Sequence, residues 1–129
     1  MHTLKRVLAS ITFAISTLAF ITPSHASSDL SQLSAQQEID HLLQFVQHTP
    51  CQYERNGSRH TGQEAVEHIT KKYRYFEEDI ESAEDFIELS ATKSTLSGRH
   101  YQVHCPNQAS QTSKSWLLSE LDKYRSAHH

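Results

Sequence analysis

The sequence predicts an α+β fold of about four helices and a minimal two-stranded antiparallel sheet, closed by one disulfide bond. Four segments carry apolar residues at the i, i+3, i+4 spacing of an amphipathic helix. The segment 100–105 alternates apolar and polar residues, which is typical of a strand with one buried face, and a partner strand is predicted at 51–55. The chain has two cysteines, Cys51 and Cys105, and an even number favours one bridge in a small exported domain.

The N-terminal segment has the features of a cleavable secretion signal. Lys5 and Arg6 form a basic start, and a mostly apolar stretch runs from Val7 to Ile21. This stretch is shorter than the roughly 20 residues that a membrane-spanning helix needs. We therefore expect a signal peptide at 1–26, cleaved after Ala26, and a single mature domain at 27–129 that has no membrane association.

The charge balance of the mature domain limits its partners. Without Lys5 and Arg6, the chain keeps 10 basic residues against 15 acidic ones, a formal charge of −5. A nucleic-acid-binding domain needs a clustered basic surface, whereas the dense charge here is an acidic run within 77–85, typical of a solvated face. The composition therefore argues against a nucleic-acid partner.

The first helix is predicted to start at Ser34, where Ser34 and Gln37 resemble a capping box, and to stop before Pro50. Its buried face carries Ile39, Leu42, Leu43 and Val46. After the strand at 51–55, the pair Asn56-Gly57 indicates a tight turn. The residues that follow this turn are polar, so a long hairpin is not expected.

Capping boxes mark the starts of the second and third helices. Thr61 with Glu64 opens one helix, and Ser82 with Asp85 opens the next. The predicted buried residues of the second helix are Ala65, Val66, Ile69, Tyr73 and Phe76. Those of the third are Ala83, Phe86, Ile87 and Ser90.

The C-terminal part combines a loop, a strand and a helix. Residues 93–98 have the composition of a loop, and residues 107–113 that of a polar connection. The last helix is predicted from about Ser115, and the tail 126–129 is predicted to fray. Its inner side carries Leu117, Leu118, Leu121 and Tyr124. Trp116 lies outside this stripe and either covers the edge of the core or serves as an exposed anchor for a partner.

A bridge between Cys51 and Cys105 would fix the register of the two strands. Bridged Cα atoms lie about 4.4 to 6.8 Å apart, a spacing that directly opposed antiparallel residues satisfy. Tyr53 then opposes Val103, and Arg55 opposes Tyr101 on the same buried face. On the chain-entropy model, the bridge stabilises the fold by about 4 kcal/mol.

The polar stretch from Arg55 to His68, with the loop 93–100, is the surface on which we expect function. The leading hypothesis is a non-enzymatic binding or interaction module for an unidentified protein or small ligand, without a cofactor. The predicted binding residues are Arg55, Asn56, His60, His68 and Ser94. Arg55 either has a structural role, by stacking on Tyr101 or pairing with a carboxylate, or lines a small anion-receptive pocket.

A divalent metal site is the alternative hypothesis. His60, Glu64 and His68 are spaced by four residues, but on a helix His60 and His68 would lie about 12 Å apart along the axis, too far to bind one ion. A site would therefore need His60 or His68 together with a second histidine such as His100 or His104. No established zinc spacing supports this hypothesis, so no metal ligand is predicted outright.

A small hydrolase is the third hypothesis. Ser58 and Ser94 are available as nucleophiles, and several histidines are available as bases. No G-x-S-x-G motif or comparable nucleophile turn is present. We therefore predict no catalytic residue.

Several stretches of the chain occur in the same order in a known family. They include CQYERNGSRH, SAEDFIELSATKS, YQVHC and WLLSEL. On these motifs the chain resembles a family of small exported bacterial proteins known as a domain of unknown function. The resemblance implies a periplasmic or secreted location and a paired Cys51 and Cys105, and it implies no catalytic role. The positions that match its pattern include Arg55, Asn56, Gly57, His60, His68, Ser94 and Gly98.

Overall fold

The computed structural model describes residues 26–128, with side chains described from Ser34 onward. The predicted secretion signal, apart from Ala26, lies outside the described residues. The elements follow the order α1 (Ala26–Gln47), β1 (Gln52–Arg55), β2 (Ser58–His60), α2 (Gly62–Phe76), a 3-10 turn (Glu77–Asp79), α3 (Ala83–Ser90), β3 (Gln102–His104), β4 (Gln111–Thr112) and α4 (Ser113–His128). Within this range, no helix is both long and apolar enough to cross a membrane.

The α+β class is confirmed, but the predicted two-stranded sheet is wrong. The sheet has four antiparallel strands in the order β2-β1-β3-β4. β2 follows a two-residue turn in which Asn56 and Gly57 both have positive φ angles, 50° and 80°, the conformation that suits a tight hairpin. β2 and β4 lie at the edges of the sheet and have three and two residues. Strands this short show no clear alternation, so the sequence pattern could not reveal them.

The predicted register between the two central strands is confirmed. Tyr53 pairs with Val103, and Gln52 pairs with His104. The Cys51–Cys105 disulfide is present next to this pairing, and the two Cα atoms lie 4.2 Å apart, slightly closer than the expected range. Continuation of the same register brings Arg55 to the level of Tyr101, at the opposite end of the β1–β3 pair from the bridge.

Two helix boundaries differ from the sequence prediction. α1 begins at Ala26, so the proposed capping box of Ser34 and Gln37 is wrong. Residues 26–33 contain no glycine or proline, so no residue type that commonly breaks a helix separates Ala26 from Ser34. α4 begins at Ser113 and continues through His128, so the expected fraying of 126–128 is also wrong.

The predicted starts of α2 and α3 are confirmed, although only α2 has both hydrogen bonds of the predicted capping box. The backbone N–H of Thr61 donates to the Glu64 carboxylate at 2.8 Å, and the Glu64 N–H donates to Thr61 Oγ1 at 3.2 Å. The hydrogen bond from the Thr61 backbone lowers the pKa of Glu64. Ser82 Oγ accepts from the Asp85 N–H at 3.1 Å. Local capping thus fixes where each helix begins.

The core lies between the sheet and the four helices. Its fully buried residues include Leu42, Ile69, Phe86, Ile87, Tyr101, Val103, Leu117 and Leu121. Trp116 is 8% exposed and its ring lies 4.6 Å from that of Phe45, so it covers the core edge. The hydroxyl of buried Tyr53 donates to the Ala91 carbonyl at 3.1 Å, which fixes the end of α3 against β1.

Candidate functional site

Four of the five predicted binding residues line one cavity of about 320 Å³. We call this cavity the turn pocket, and its lining residues are Arg55, Asn56, His68, Lys72, Ser94, Thr95, Leu96 and Tyr101. The β1–β2 turn, the helix α2, the loop after α3 and the residue before β3 each supply part of the wall. The structure therefore brings together residues that are far apart in the sequence.

His60 is the predicted binding residue that does not line the turn pocket. It lies in β2 opposite Tyr53, and its Nδ1 is 3.8 Å from a carboxylate oxygen of Glu64. The hairpin turns the chain back along β1, so His60 reaches the start of α2 instead. The sequence predicted the Asn56-Gly57 turn but not the strand β2, which carries His60 away from the pocket.

The amide of Asn56 joins the turn to the loop 94–98. Its Nδ2 donates to Ser94 Oγ at 3.3 Å, and its Oδ1 accepts from the Ser97 hydroxyl at 2.6 Å. The Gly98 N–H donates to the Ser94 carbonyl at 2.9 Å, and Gly98 has a φ of 71° that favours glycine. These contacts build the rim of the turn pocket, and they make Ser94 a structural part of that rim.

Arg55 lies half-buried at the end of β1. It makes no ion pair with a carboxylate among residues 34–128. The described cation–π contact to Tyr101 belongs to Lys72, whose Nζ lies 5.3 Å from the ring centroid. Neither structural role considered for Arg55 is therefore present in this part of the chain.

Lys72 is a pocket residue that the sequence reasoning missed. Its Nζ donates to the Lys93 carbonyl at 2.6 Å. Burial, together with the nearby charge of Lys93, lowers the pKa of Lys72. The spacing contained a usable signal, because Lys72 follows His68 by four residues and positions i and i+4 share one face of a helix.

His68 contacts Tyr101 inside the turn pocket. The His68 Nε2 and the Tyr101 hydroxyl are 3.0 Å apart and share a hydrogen bond. Partial burial, and then the positive charges of Arg55 and Lys72, lower the pKa of His68 to about 4. The imidazole of His68 is therefore neutral at neutral pH. Burial also raises the pKa of the Tyr101 hydroxyl.

The described residues do not assemble a metal-binding site or a serine–histidine catalytic site, which the metal and hydrolase hypotheses would require. Across 34–128, no three His, Cys, Asp or Glu side chains are grouped to hold a metal ion. His104 pairs with Glu54 across the sheet, and His68 contacts Tyr101. In the same range, no serine hydroxyl hydrogen-bonds to a histidine ring; Ser94 Oγ accepts from Asn56 Nδ2 and the Ser97 N–H.

A second cavity, of about 490 Å³, lies beside the disulfide bond. Its walls include Phe45, Cys51, Cys105, Trp116 and Glu120. Glu120 and Lys123 are its charged residues, and Glu120 is paired with His41 at 2.9 Å. None of the five predicted binding residues lines this cavity.

A family model described as a family of unknown function (DUF5329) matches residues 33–125, which is most of the chain. The chain belongs to the DUF5329 family. Searches of curated proteins and of solved structures found no match. The DUF5329 match contains both cysteines and every residue of the turn pocket, so the pocket lies within the region that defines the family.

Proposed function

We propose that this protein is an exported, non-enzymatic binding module whose ligand occupies the turn pocket. The observation that carries the proposal is the meeting of Arg55, His68 and Lys72, from two separate elements, in one cavity. A cavity with a few convergent polar groups is the usual form of a binding site for a small ligand. The proposed ligand is a small molecule or a short segment of a protein partner.

The hydrogen bonds that the polar groups of the turn pocket already make favour a binding role over catalysis. Ser94 is engaged with Asn56 and Ser97 on the rim, so its hydroxyl is a structural group. His68 shares a hydrogen bond with the Tyr101 hydroxyl, but burial raises the pKa of that hydroxyl, which is the opposite of what an activated nucleophile needs. These contacts position side chains around a ligand without activating one of them for attack.

Export is supported by the disulfide bond and by the N-terminal sequence. Structural disulfides persist mainly in oxidising compartments such as the bacterial periplasm, and Cys51 and Cys105 are bridged. Expression of the full chain in a Gram-negative host, followed by fractionation and intact mass, tests this part. We expect a periplasmic product that begins at Ser27; an unprocessed cytoplasmic product would contradict it.

Amide chemical shifts test the binding role directly. The ¹⁵N-labelled protein is titrated with a panel of amino acids, sugars, carboxylates and organic phosphates. We expect at least one compound to shift the amides of Asn56, Thr95 and Tyr101 in a saturable way. Shifts confined to the Phe45–Trp116 cavity, or no saturable shift at millimolar concentrations across the panel, would overturn the proposal.

A further inference from the structure

Among the described residues, the turn pocket contains positive charge and no negative side chain. Arg55 and Lys72 line it, with neutral His68 between them in the chain, and no Asp or Glu of residues 34–128 is part of its wall. The whole chain, by contrast, carries 15 acidic and 12 basic residues. The turn pocket therefore concentrates positive charge, although the whole chain has more acidic than basic residues.

Cations elsewhere in the described residues are paired when they are partly buried. Arg125 binds Glu38 through two nitrogens at 2.8 and 2.9 Å and also binds Glu84. Lys114 binds Glu88. Within 34–128, Arg55 and Lys72 have no such carboxylate, although taking a cation out of water without a partner is unfavourable.

We propose that the turn pocket binds a small organic anion, whose carboxylate or phosphate group contacts Arg55 and Lys72 and whose apolar part contacts Leu96. This inference rests on the binding role proposed above and names the chemical class of the ligand.

The donors of the two cations suit an oxyanion. An arginine guanidinium presents its N–H groups in a planar fork that matches two oxygens of a carboxylate or phosphate. Lys72 uses one donor for the Lys93 carbonyl, and an ammonium has three. The Asn56 amide is uncharged and already bonds to Ser94 and Ser97, so the charge contacts fall to Arg55 and Lys72.

Leu96 supplies the apolar contact. It lies in the loop 94–98 at the mouth of the turn pocket, and 99% of its surface is exposed. Leu96 and Tyr75 are the large hydrophobic residues that remain exposed in the described part of the chain. An apolar group of the ligand that covered Leu96 would remove this surface from water, which is favourable.

Calorimetric titration with matched probes tests the inference. The mature protein, purified from the periplasm after expression of the full chain, is titrated with phenyl phosphate, benzoate, inorganic phosphate and uncharged benzyl alcohol. We expect phenyl phosphate or benzoate to bind more tightly than benzyl alcohol by about tenfold or more, because only the anions form charge-assisted hydrogen bonds. Comparison of phenyl phosphate with benzoate shows which oxyanion the pocket prefers.

Three variants and one control variant locate the binding site. Arg55→Gln and Lys72→Gln should each weaken the preferred anion by about tenfold. Arg59→Gln is the matched control, because Arg59 is exposed on β2, donates to Gln52 and does not line the pocket. It should leave the affinity within about twofold. Leu96→Ala should weaken the aryl anion and leave the affinity for inorganic phosphate unchanged.

Different experimental results would contradict the proposed ligand class and the proposed binding role. If benzyl alcohol binds at the turn pocket as tightly as the anions, and Arg55→Gln has no effect, the ligand class is wrong and the binding role stands. If inorganic phosphate binds as tightly as phenyl phosphate, the apolar contact is wrong. If no probe and no compound of the wider panel shifts the pocket amides, both proposals fail. Thermal unfolding of each variant confirms that it is folded.

Discussion

His68 and Tyr101 share a 3.0 Å hydrogen bond in the wall of the turn pocket, where α2 meets the start of β3. The ring of His68 also meets the Tyr101 ring edge-on, with centroids 5.9 Å apart. Burial and surrounding positive charge oppose protonation of this histidine. The pKa of His68 therefore depends on the charge of the turn pocket.

Titration of His68 by NMR should give a pKa of about 4, against about 6.5 for an unperturbed histidine. The groups that face it are Arg55 on β1, His60 on β2, and Lys71 and Lys72 on its own helix. Between about pH 6.5 and 4, the unfolded chain binds more protons at this position than the folded one. The free energy of unfolding should therefore fall as the pH is lowered through this window, and His68 should contribute no slope above it.

His68→Gln isolates this effect from the carboxylates, which titrate in the same range. Urea unfolding at pH 7 and pH 4.5 should show a smaller pH-dependent loss of stability for His68→Gln than for the wild type. A His68 pKa near 6.5 would contradict the prediction. Saturation with the preferred anion should raise the His68 pKa, because the anion offsets the charges of Arg55 and Lys72.

Arg125 should contribute more to stability than Arg55. Arg125 joins α4 to Glu38 of α1 and Glu84 of α3, and its removal would leave the largely buried Glu38 carboxylate without this partner. Arg125→Ala should lower the free energy of unfolding by about 1–2 kcal/mol. Arg55→Ala should change it by less than about 0.5 kcal/mol. Equal losses in urea unfolding would contradict this contrast.

Gly62 should not tolerate a side chain. A Cβ at this position would lie 2.2 Å from the carbonyl oxygen of Val46, where the start of α2 meets the end of α1. Gly62→Ala should lower the free energy of unfolding by about 3 kcal/mol, because backbone must shift to relieve the clash. Gly98→Ala is the control; a Cβ there meets nothing, and its positive φ alone should cost about 1 kcal/mol. Similar losses in the two variants would refute the close approach.

Ser90 and Ser82 should respond to alanine in opposite directions. Ser90 is fully buried, and its Oγ has no hydrogen-bond partner in the described structure. Ser90→Ala should therefore raise the free energy of unfolding by about 1 kcal/mol. Ser82 caps α3, so Ser82→Ala should lower it by about 1 kcal/mol. A loss of stability in Ser90→Ala would indicate a partner for its hydroxyl, such as a buried water.

The features predicted correctly from the sequence depend on local or covalent signals. The starts of α2 and α3 follow from Thr61 and Ser82, whose capping partners lie three residues away. The β1–β3 register follows from the bridge between Cys51 and Cys105. In each case, a short interval or a single pairing determines the geometry.

The features that were missed depend on long-range geometry. The edge strands β2 and β4 are too short for a periodic pattern, and the approach of Gly62 to Val46 exists only after α1 and α2 pack. In the turn pocket, the sequence indicated Arg55 and His68 but not Leu96. The place of Leu96 is set by the loop that Asn56 holds, and no spacing in the sequence encodes that contact.

The exposure of Leu96 makes the protein convenient to convert into an optical sensor. Both native cysteines are joined in the disulfide, so Leu96→Cys would introduce the one free thiol of the chain. A solvent-sensitive fluorophore attached there would sit at the mouth of the turn pocket, where its apolar rings would replace the contact that Leu96 makes with the ligand, and no core residue would be displaced. Its emission would then report occupancy in a crude extract, where the natural compound can be sought before it has been purified.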